Sequence, residues 1–482
     1  MSSAVRRLRR SSLCLSMAPV AGLLALVWAR LRPRRLPRRQ QRPPPSRLPV
    51  RDPGTPVRHL CPWAVPSPDQ PSPPAQRLPQ SQFAWQYLLG CTNLIIGSNQ
   101  GIVQAVGDRY VRIPPMPQAT KPHLENLRKY SPGKPIEELR RELGVDRISK
   151  LASNENPIGP SPLALAAVRA CLDDVHRYPD AAQYEVKSAI CDVFGAAPEN
   201  VVVGNGSDEL IHYLGVAFLS PGDEVVVGSP SFIQYTAAAI LNQADIKSVP
   251  LDPSERMDLE AMAAACSDRT RLVWVANPNN PTGTIVMREE FDRFLDSVPR
   301  TATVVLDEAY FDFARDEAIP DSLELVKAGR NIIGLRTLSK SYGLAGLRIG
   351  FAFLPPETAD VIERMREPFN VNLLAQRAAA AALYDREHLE NTLHHNRKSL
   401  ERISRAVSSC GGKPTKSFAN FVWAEFPFDT KPLFDALLRQ GVIVRTGDIF
   451  GRPTCLRISA GTDDEMEHFE ASLPKAVEML NP

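Results

Sequence analysis

Cysteine and histidine are scarce in this sequence of 482 residues, and neither is spaced as a metal site. The eight cysteines are scattered and include no Cys-x-x-Cys pair. Zinc binding and a disulfide framework are therefore excluded as the basis of the fold in a chain of this size. The adjacent His394 and His395 cannot share a helix face, and we interpret them as part of a solvated surface without a metal.

The N-terminal region has almost no acidic residues and no lysine. Up to residue 60 there are fourteen arginines, no lysine and one acid, Asp52. The apolar stretch from Leu13 to Ala29 is short for a membrane span, which needs about 20 residues. Residues 31–82 are too rich in Arg and Pro to build a core, so we expect them to be disordered. The basic charge belongs to this extension and gives no case for nucleic-acid binding by the remainder.

Three interpretations of residues 1–115 stay open. A basic start followed by an apolar stretch fits a signal peptide or a membrane anchor, while the arginine bias fits an organelle transit peptide. The third interpretation is that the segment translates GC-rich upstream DNA, because such DNA tends to encode Arg in place of Lys with abundant Pro, Leu and Ala. Met116 also directly precedes the arm that opens the rest of the chain. We expect a cytoplasmic protein that contacts a membrane or an organelle only if the extension is genuine.

The rest of the chain alternates apolar strands with helices. Over residues 151–370 this pattern predicts an α/β domain with a large, doubly wound, mostly parallel sheet. A smaller α/β domain is predicted over residues 371–482, and residues 116–150 form an arm that contributes to it. A short helix in the arm should end at Gly144, and the segment starting at Ala375 predicts one or two long helices.

The segment TLSKSYGLAGLRIGF indicates the chemistry. It places Lys340 between the hydroxyls of Ser339 and Ser341, with Arg348 eight residues later after a Gly-rich turn. A lysine there can form an imine with an aldehyde cofactor, while the hydroxyls and the arginine bind a phosphate. Pyridoxal phosphate carries both groups, so the segment predicts a site for it.

Two further segments supply side chains for the ring of such a cofactor. The β-branched run from Thr301 to Phe313 should deliver Asp307 to the C-terminal edge of a parallel sheet. An Asp there can keep a pyridine nitrogen protonated, which makes the ring an electron sink; the alternative is a helix cap or a turn. Tyr310 and Asn280, the latter in the rigid turn NPNNPTG, are candidates to donate to the phenolic oxygen.

A Gly-rich turn supplies a second phosphate contact. The segment from Glu199 to Leu214 indicates a strand, a turn and a helix in that order. The backbone N–H groups of Gly206, Ser207 and Asp208 would then lie at a helix N-terminus. Free donors and the helix dipole favour a phosphate at that position.

Together these motifs resemble the histidinol-phosphate aminotransferases, a family of the fold type I, aspartate-aminotransferase-like superfamily. The resemblance runs from about Lys121 to the C-terminus. The lysine, Asp and NPTG motifs are specific to the superfamily. Three motifs point to the histidinol-phosphate branch: GLAGLR, NENP (Asn154–Pro157) and RYPD (Arg177–Asp180). The motif LRISAGT (Leu456–Thr462) also matches.

The resemblance implies a pyridoxal-phosphate-dependent aminotransferase of histidine biosynthesis. Its reaction would convert L-histidinol phosphate and 2-oxoglutarate into imidazole-acetol phosphate and L-glutamate. Lys340 would be the Schiff-base lysine and the general base, and Asp307 would pair with the pyridine nitrogen. Asn280 and Tyr310 would contact the phenolic oxygen.

The resemblance also implies how the cofactor is held. Arg348, Ser339 and the Gly206–Ser207–Asp208 turn would bind its phosphate. Phe232 occupies the position of the family's stacking aromatic ring, and Tyr235 is the alternative.

The resemblance further implies a homodimer with a shared active site and two small-molecule substrates. Tyr178 would reach the cofactor phosphate from the partner subunit. Arg457 would bind the carboxylate of glutamate or 2-oxoglutarate. Arg445 is a candidate for the phosphate of the substrate, with a surface ion pair as the alternative, and Asn154 is a candidate near the entrance.

Other functions of the same fold remain as alternatives. An aromatic-amino-acid aminotransferase and a threonine-phosphate decarboxylase share most of these motifs. The fold also serves as the effector-sensing domain of transcription regulators. Such regulators carry an N-terminal helix-turn-helix domain, and residues 1–115 do not resemble one.

Overall fold

The computed structural model describes residues 94–95, 102–106, 109–113, 120–127, 139–141 and 144–480. The chain divides into two compact units, Met1–Pro115 and Met116–Pro482. The predictions of a targeting segment and of disorder over residues 31–82 fall outside the described residues. These predictions, and the compartment that depends on them, therefore stay predictions.

The described part of the first unit is a three-stranded antiparallel sheet. It consists of β1 (Leu94–Ile95), β2 (Ile102–Val106) and β3 (Arg109–Ile113). Sequence analysis did not anticipate these strands. The signal was the pair of β-branched runs IVQAV and RYVRI on either side of Gly107-Asp108, since such a dipeptide between two runs is typical of a hairpin.

The second unit contains the remaining elements. Its strands are β4 (Ser149–Lys150), β5 (Val201–Gly204), β6 (Glu224–Ser229), β7 (Asp245–Pro250), β8 (Thr270–Ala276), β9 (Thr303–Asp307), β10 (Ile332–Thr337), β11 (Gly350–Phe353), β12 (Lys413–Pro414), β13 (Phe421–Glu425), β14 (Val442–Ile443), β15 (Arg445–Thr446) and β16 (Cys455–Ser459). Its α-helices are α1 (Pro162–Ala170), α2 (Tyr184–Phe194), α3 (Ser207–Phe218), α4 (Ile233–Leu241), α5 (Leu259–Ala265), α6 (Arg288–Ser297), α7 (Phe311–Ala314), α8 (Ser322–Lys327), α9 (Pro356–Met365), α10 (Leu373–Tyr384), α11 (Arg386–Ser409), α12 (Lys431–Arg439) and α13 (Asp463–Glu478).

A seven-stranded sheet forms the centre of the second unit. Its strand order is β5-β11-β10-β9-β8-β6-β7, and β11 alone runs antiparallel to its neighbours. Side chains of β5 pack into two different cores: Val202 lies on one face of the sheet, and Val201 and Val203 lie on the other. Both faces are therefore covered, which explains the nearly continuous apolar runs of these strands. The predicted doubly wound, mostly parallel sheet is confirmed.

A four-stranded sheet, β12-β13-β16-β15, lies in the C-terminal part of the second unit. The helices α11, α12 and α13 contribute to the core that packs against it. The segment that precedes the first helix is tied to this part, because β4 pairs in parallel with β14. Gly441 permits the close approach, since a Cβ there would lie 2.1 Å from the Arg147 carbonyl oxygen. The division into domains at residues 150 and 370 remains our proposal.

Local predictions about helices can be checked in the described part of the chain. The Gly144 N–H donates to the Arg140 carbonyl oxygen at 3.0 Å, and Gly144 has a φ of 63°, as expected for a helix end. The segment from Ala375 onward lies in two helices, α10 and α11, as one of the two predictions allowed. His394 is exposed, but His395 is half-buried and hydrogen-bonds the Gly461 carbonyl oxygen at 2.8 Å. The interpretation as a solvated surface is therefore wrong for His395.

Neither a metal cluster nor a membrane-spanning helix occurs in the part of the chain that the structure describes. Its His, Cys, Asp and Glu side chains form no group of three or more that could hold a metal ion. Its helices are too short or too polar to cross a bilayer.

We predict that a chain starting at Met116 is soluble and unfolds at the same temperature as the full-length protein, because it retains all residues of the second compact unit. A chain starting at Lys150 should be markedly less stable, since it loses Ser149 from β4 and the buried Leu139, which packs with Ile443. Thermal unfolding of the three proteins tests this. An insoluble Met116 chain beside a soluble full-length protein would make the extension structural.

Candidate active site

A cavity of about 410 Å³ opens at the C-terminal edge of the parallel strands. The strands β8, β9 and β10 end there, and the helix α3 begins there. This edge is where open α/β sheets bind ligands. Most of the predicted site residues line this cavity, namely Asn154, Ser207, Asp208, Phe232, Asn280, Asp307, Tyr310, Ser339, Lys340, Arg348 and Arg457.

Asp307 is buried at the end of β9, and the protein holds both of its carboxylate oxygens. The Tyr235 hydroxyl donates to Oδ2 at 2.6 Å, and the Ala309 N–H donates to Oδ1 at 3.0 Å. Burial raises the pKa of Asp307 to about 6, although the hydrogen bond from Tyr235 opposes this shift. The carboxylate is thus fixed in position and still ionised at neutral pH.

Tyr235 has a different role from the one that sequence analysis considered. The sequence makes it an alternative ring to stack on the cofactor. Instead it is buried, it stacks on Trp274 with a centroid distance of 4.6 Å, and its hydroxyl is bound to Asp307. Because the ring is held by Trp274, Phe232 remains the better candidate for stacking. The rings of Phe232 and Tyr235 contact each other edge-on, with a centroid distance of 5.7 Å.

Lys340 lies just after β10 and faces the cavity. The protein around it desolvates the amine, which is the main reason that the pKa of Lys340 is lowered to about 8; the guanidinium of Arg457 adds to the effect. Its Nζ is 5.9 Å from the centroid of the Tyr310 ring. The buried Ser341, in contrast, donates its hydroxyl hydrogen to Asp312. The prediction that the hydroxyl of Ser341 also binds a phosphate is therefore wrong, because that hydrogen is committed elsewhere.

The predicted phosphate site is a crowded turn at the start of α3. Gly206 has a φ of 79° and precedes the first residue of the helix. A Cβ on Gly206 would lie 2.9 Å from Arg348 Nη2, and one on Gly350 would lie 2.7 Å from the Ser207 nitrogen. Glycine is thus required for the close approach of Arg348 to the helix N-terminus. Arg348 Nη2 also donates to Asp208 Oδ2 at 3.2 Å.

Arg457 and Asn280 contact each other across the cavity. Arg457 Nη1 donates to Asn280 Oδ1 at 2.5 Å, and Nη2 donates to the Ala152 carbonyl oxygen at 2.9 Å. Because Oδ1 faces Arg457, the amide turns its donor group Nδ2 to the opposite side. The predicted donation from Asn280 to the phenolic oxygen of the cofactor requires this orientation. Asn154, predicted near the entrance, is buried and donates from Nδ2 to Tyr310 Oη at 2.9 Å.

Arg445 lies outside this cavity and lines a second one of about 690 Å³. The two cavities share Phe232, Asn280 and Arg457. Arg445 on β15 pairs in register with Arg457 on β16, so two guanidinium groups come from adjacent positions. Asn126 and Leu127 of the predicted arm line the second cavity as well.

Tyr178 and Gly206 do not line the first cavity. Tyr178 is 82% exposed, and its ring stacks on Phe369 with a centroid distance of 4.6 Å. Its predicted role involves a partner subunit and is not tested within one chain. Gly206 contributes through the backbone turn rather than through the cavity wall.

Comparison with known proteins supports these observations. The family model described as aminotransferase class I and II matches residues 146–473. The histidinol-phosphate aminotransferase of Moorella thermoacetica is 47% identical over 362 residues, which cover 74% of this chain and 94% of the relative. The histidinol-phosphate aminotransferase 2 of Carboxydothermus hydrogenoformans is 43% identical over 358 residues, covering 74% and 99%.

A solved structure shows the same architecture. It is the histidinol-phosphate aminotransferase from Sinorhizobium meliloti, crystallised in complex with pyridoxal-5′-phosphate. It has a TM-score of 0.70 and 30% sequence identity, and the alignment covers 75% of this chain and 98% of that one.

We predict that Lys340 of the ligand-free protein reacts with acetic anhydride along a pH profile centred near about 8, whereas ordinary lysines titrate near about 10.4. Replacing Arg457 with Gln should move the profile to higher pH, because a neighbouring positive charge is removed. Arg439→Gln, at an exposed position, serves as the control. Mass spectrometry of the labelled peptides gives the profile. A Lys340 profile that coincides with those of the other lysines would contradict the assignment.

Proposed function

Since the chain belongs to the histidinol-phosphate aminotransferases, within the class I and II aminotransferase family, we propose that it transfers the amino group of L-glutamate in histidine biosynthesis. The amino group of L-glutamate passes to imidazole-acetol phosphate, which gives L-histidinol phosphate and 2-oxoglutarate. The reverse reaction converts L-histidinol phosphate and 2-oxoglutarate into imidazole-acetol phosphate and L-glutamate. Its cofactor is pyridoxal 5′-phosphate. The observation that carries the proposal is that Lys340, Asp307 and the N-terminus of α3 face one cavity.

The residues of the cavity fit the cofactor at four points. Lys340 offers an amine to its aldehyde carbon, and Asp307 offers a carboxylate to its pyridine nitrogen. Arg348 and Ser339 join the start of α3 as donors for the phosphate. A Cβ on Gly206 would collide with Arg348 Nη2, so glycine at this position keeps the guanidinium beside the turn. Asn280 and Tyr310 are the donors for the phenolic oxygen.

When bound, pyridoxal phosphate supplies an electron sink that stabilises negative charge at the substrate Cα. Asp307 maintains this property, since an ionised carboxylate beside the ring nitrogen keeps that nitrogen protonated. Lys340 removes the proton from the Cα and returns it to the cofactor carbon or to the Cα. Because its pKa is about 8, the amine is partly neutral near pH 7 and can both accept and return a proton.

Two arginines suit the two substrates. L-Glutamate and 2-oxoglutarate have an α-carboxylate, which the buried Arg457 binds with a planar pair of donors. L-Histidinol phosphate has a hydroxymethyl group there and a phosphate further out. Arg445, in the adjoining cavity, is the candidate for this phosphate. Ile449 and Phe450 line the same cavity and provide apolar surface for an imidazole ring.

We also propose that the enzyme is a homodimer with a shared active site. Large apolar side chains are exposed close together in sequence around the RYPD motif, and such a patch is typical of an interface. Tyr178 at its centre is 82% exposed and lies against Phe369. In a dimer it would reach the cofactor phosphate of the partner. The other exposed apolar side chains of this segment are Leu163, Leu165, Leu172, Val175 and Tyr184.

We predict that Asp307→Asn lowers kcat by several powers of ten, because a neutral amide cannot hold the ring nitrogen protonated. The loss corresponds to about 4 kcal/mol or more of transition-state stabilisation. Tyr235→Phe is the matched control: it removes one hydrogen bond to Asp307 but keeps the charge, so its loss should be smaller. Steady-state kinetics and cofactor affinity are measured for both. An Asp307→Asn enzyme within tenfold of the parent would mean that another group protonates the ring.

The substrate is tested by comparing kcat/KM for L-histidinol phosphate, L-histidinol and L-phenylalanine. We expect the phosphate to be worth a factor of about 10 to 150, because a charge-assisted hydrogen bond contributes about 1.5–3 kcal/mol. Arg445→Ala should remove most of this preference and leave L-histidinol almost unaffected. Arg439→Ala, an exposed position outside the cavity, should change neither.

Two outcomes would contradict the assigned substrate. A parent enzyme that prefers L-phenylalanine would move the chain to the aromatic aminotransferases. Release of CO₂ from a bound amino acid, in place of amino transfer, would move it to the decarboxylases of this fold.

A further inference from the structure

We infer that Ser459 is a positioning residue that sets the direction in which Tyr310 donates its hydrogen bond, acting through Asn154. The inference rests on the proposed function, in which Tyr310 donates to the phenolic oxygen of the cofactor. Ser459 lies at the end of β16, two residues after Arg457, and sequence analysis assigned it no role.

Three buried side chains form a continuous chain of hydrogen bonds. Ser459 Oγ donates to Asn154 Oδ1 at 2.8 Å, and Asn154 Nδ2 donates to Tyr310 Oη at 2.9 Å. The backbone N–H of Asn154 donates back to Ser459 Oγ at 2.9 Å. Ser459 and Asn154 are each 2% exposed, and Tyr310 is 5% exposed. Water therefore has little access to compete for these bonds.

Ser459 determines which end of the Asn154 amide faces Tyr310. A primary amide has an acceptor end and a donor end, and only its partners distinguish the two orientations. The hydroxyl of Ser459 accepts from the Asn154 N–H and presents its own hydrogen to Oδ1. A reversed amide would direct two donors of Asn154 at this one hydroxyl and would turn Oδ1 to Tyr310. Ser459 thus keeps the donor end, Nδ2, on Tyr310.

The orientation of the amide fixes the rotation of the Tyr310 hydroxyl. Its oxygen accepts from Asn154, so its hydrogen must point away from Asn154. Phe421 packs against the Tyr310 ring edge-on, with a centroid distance of 5.3 Å. The remaining directions include the cavity, which Tyr310 lines on the side of Lys340. With the amide reversed, Tyr310 would donate to Asn154 and could not donate to the cofactor.

The backbone of Asn154 is held in a conformation that most residues avoid. Asn154 has a φ of 54°, in the left-handed region that glycine adopts most easily. The C-terminal part of the unit holds it there, since Asn420 Nδ2 donates to the Asn154 carbonyl oxygen at 2.9 Å and Ser459 contacts its N–H. The same contacts that hold this backbone conformation also place the amide between Ser459 and Tyr310.

The test is the pH-dependent absorbance change of the cofactor-loaded protein, recorded without substrate. A hydrogen bond donated to the phenolic oxygen stabilises its anionic form, so losing the bond raises the apparent pKa of this change. We expect Tyr310→Phe to raise it by about one unit. Ser459→Ala should raise this apparent pKa by a smaller amount in the parent enzyme, and it should not change the apparent pKa when Tyr310 is already replaced by Phe. Ser472→Ala, at another buried serine, is the control and should leave it unchanged.

Asn154→Gly provides a second, independent variant. Glycine suits the φ of 54°, so this variant should fold even if Ser459→Ala does not. The apparent pKa of its absorbance change should rise as it does in Ser459→Ala. None of the variants changes the charged side chains that line the cavity, which are Asp208, Asp307, Lys340, Arg348 and Arg457. A change in the absorbance pKa therefore reports the hydrogen bond to the cofactor.

Each remaining outcome is informative. If Tyr310→Phe shifts the pKa but Ser459→Ala and Asn154→Gly do not, the inference about Ser459 fails and the role of Tyr310 stands. The inference also fails if Ser459→Ala shifts the pKa equally in both backgrounds. If Tyr310→Phe itself has no effect, the role of Tyr310 in the proposed function is wrong, and the inference falls with it.

Discussion

Desolvation of Lys340 and Asp307 within one cavity is the constraint on which the rest of the site depends. Burial is the largest cause of both pKa shifts, because it disfavours the charged form of each group. It lowers the pKa of the Lys340 amine to about 8 and raises the pKa of the Asp307 carboxyl group to about 6. These values bracket neutral pH, so the lysine can exchange a proton while the aspartate keeps its charge. The hydrogen bond from Tyr235 opposes a further rise in the pKa of Asp307.

Such burial requires a rigid frame, and a buried ion pair beside the site provides one. Arg336 on β10 donates from Nε to Glu308 Oε2 at 2.9 Å, and its guanidinium lies 4.0 Å from the Phe311 ring centroid. Glu308 follows Asp307, so the pair joins the ends of the strands that carry Asp307 and lead to Lys340. Removing one partner of a buried pair costs about 3–5 kcal/mol, because it leaves an uncompensated charge. The frame is therefore sensitive to single substitutions.

Local motifs allowed much of the fold and site to be predicted from sequence. Strand-end rules located Asp307, and the glycine pattern located the approach of Arg348 to α3, because both depend on a few consecutive residues. The direction of Ser341 and the role of Tyr235 were missed, since they depend on packing that no local pattern encodes. The pairing of Ser459 with Asn154 spans 305 residues and could not be inferred from either segment alone.

This long-range pairing has a consequence for the order in which the site assembles during synthesis. Asn420 and Ser459, which hold Asn154, follow it by 266 and 305 residues and are therefore synthesised much later than the segment that they hold. Contacts of such sequence separation form slowly, because a long loop must close first. A nascent chain can therefore build the sheet that carries Lys340 and Asp307 while Tyr310 still lacks its orienting partner. The hydrogen-bond chain that orients Tyr310 is completed only once the segment with Ser459 has been made and has docked.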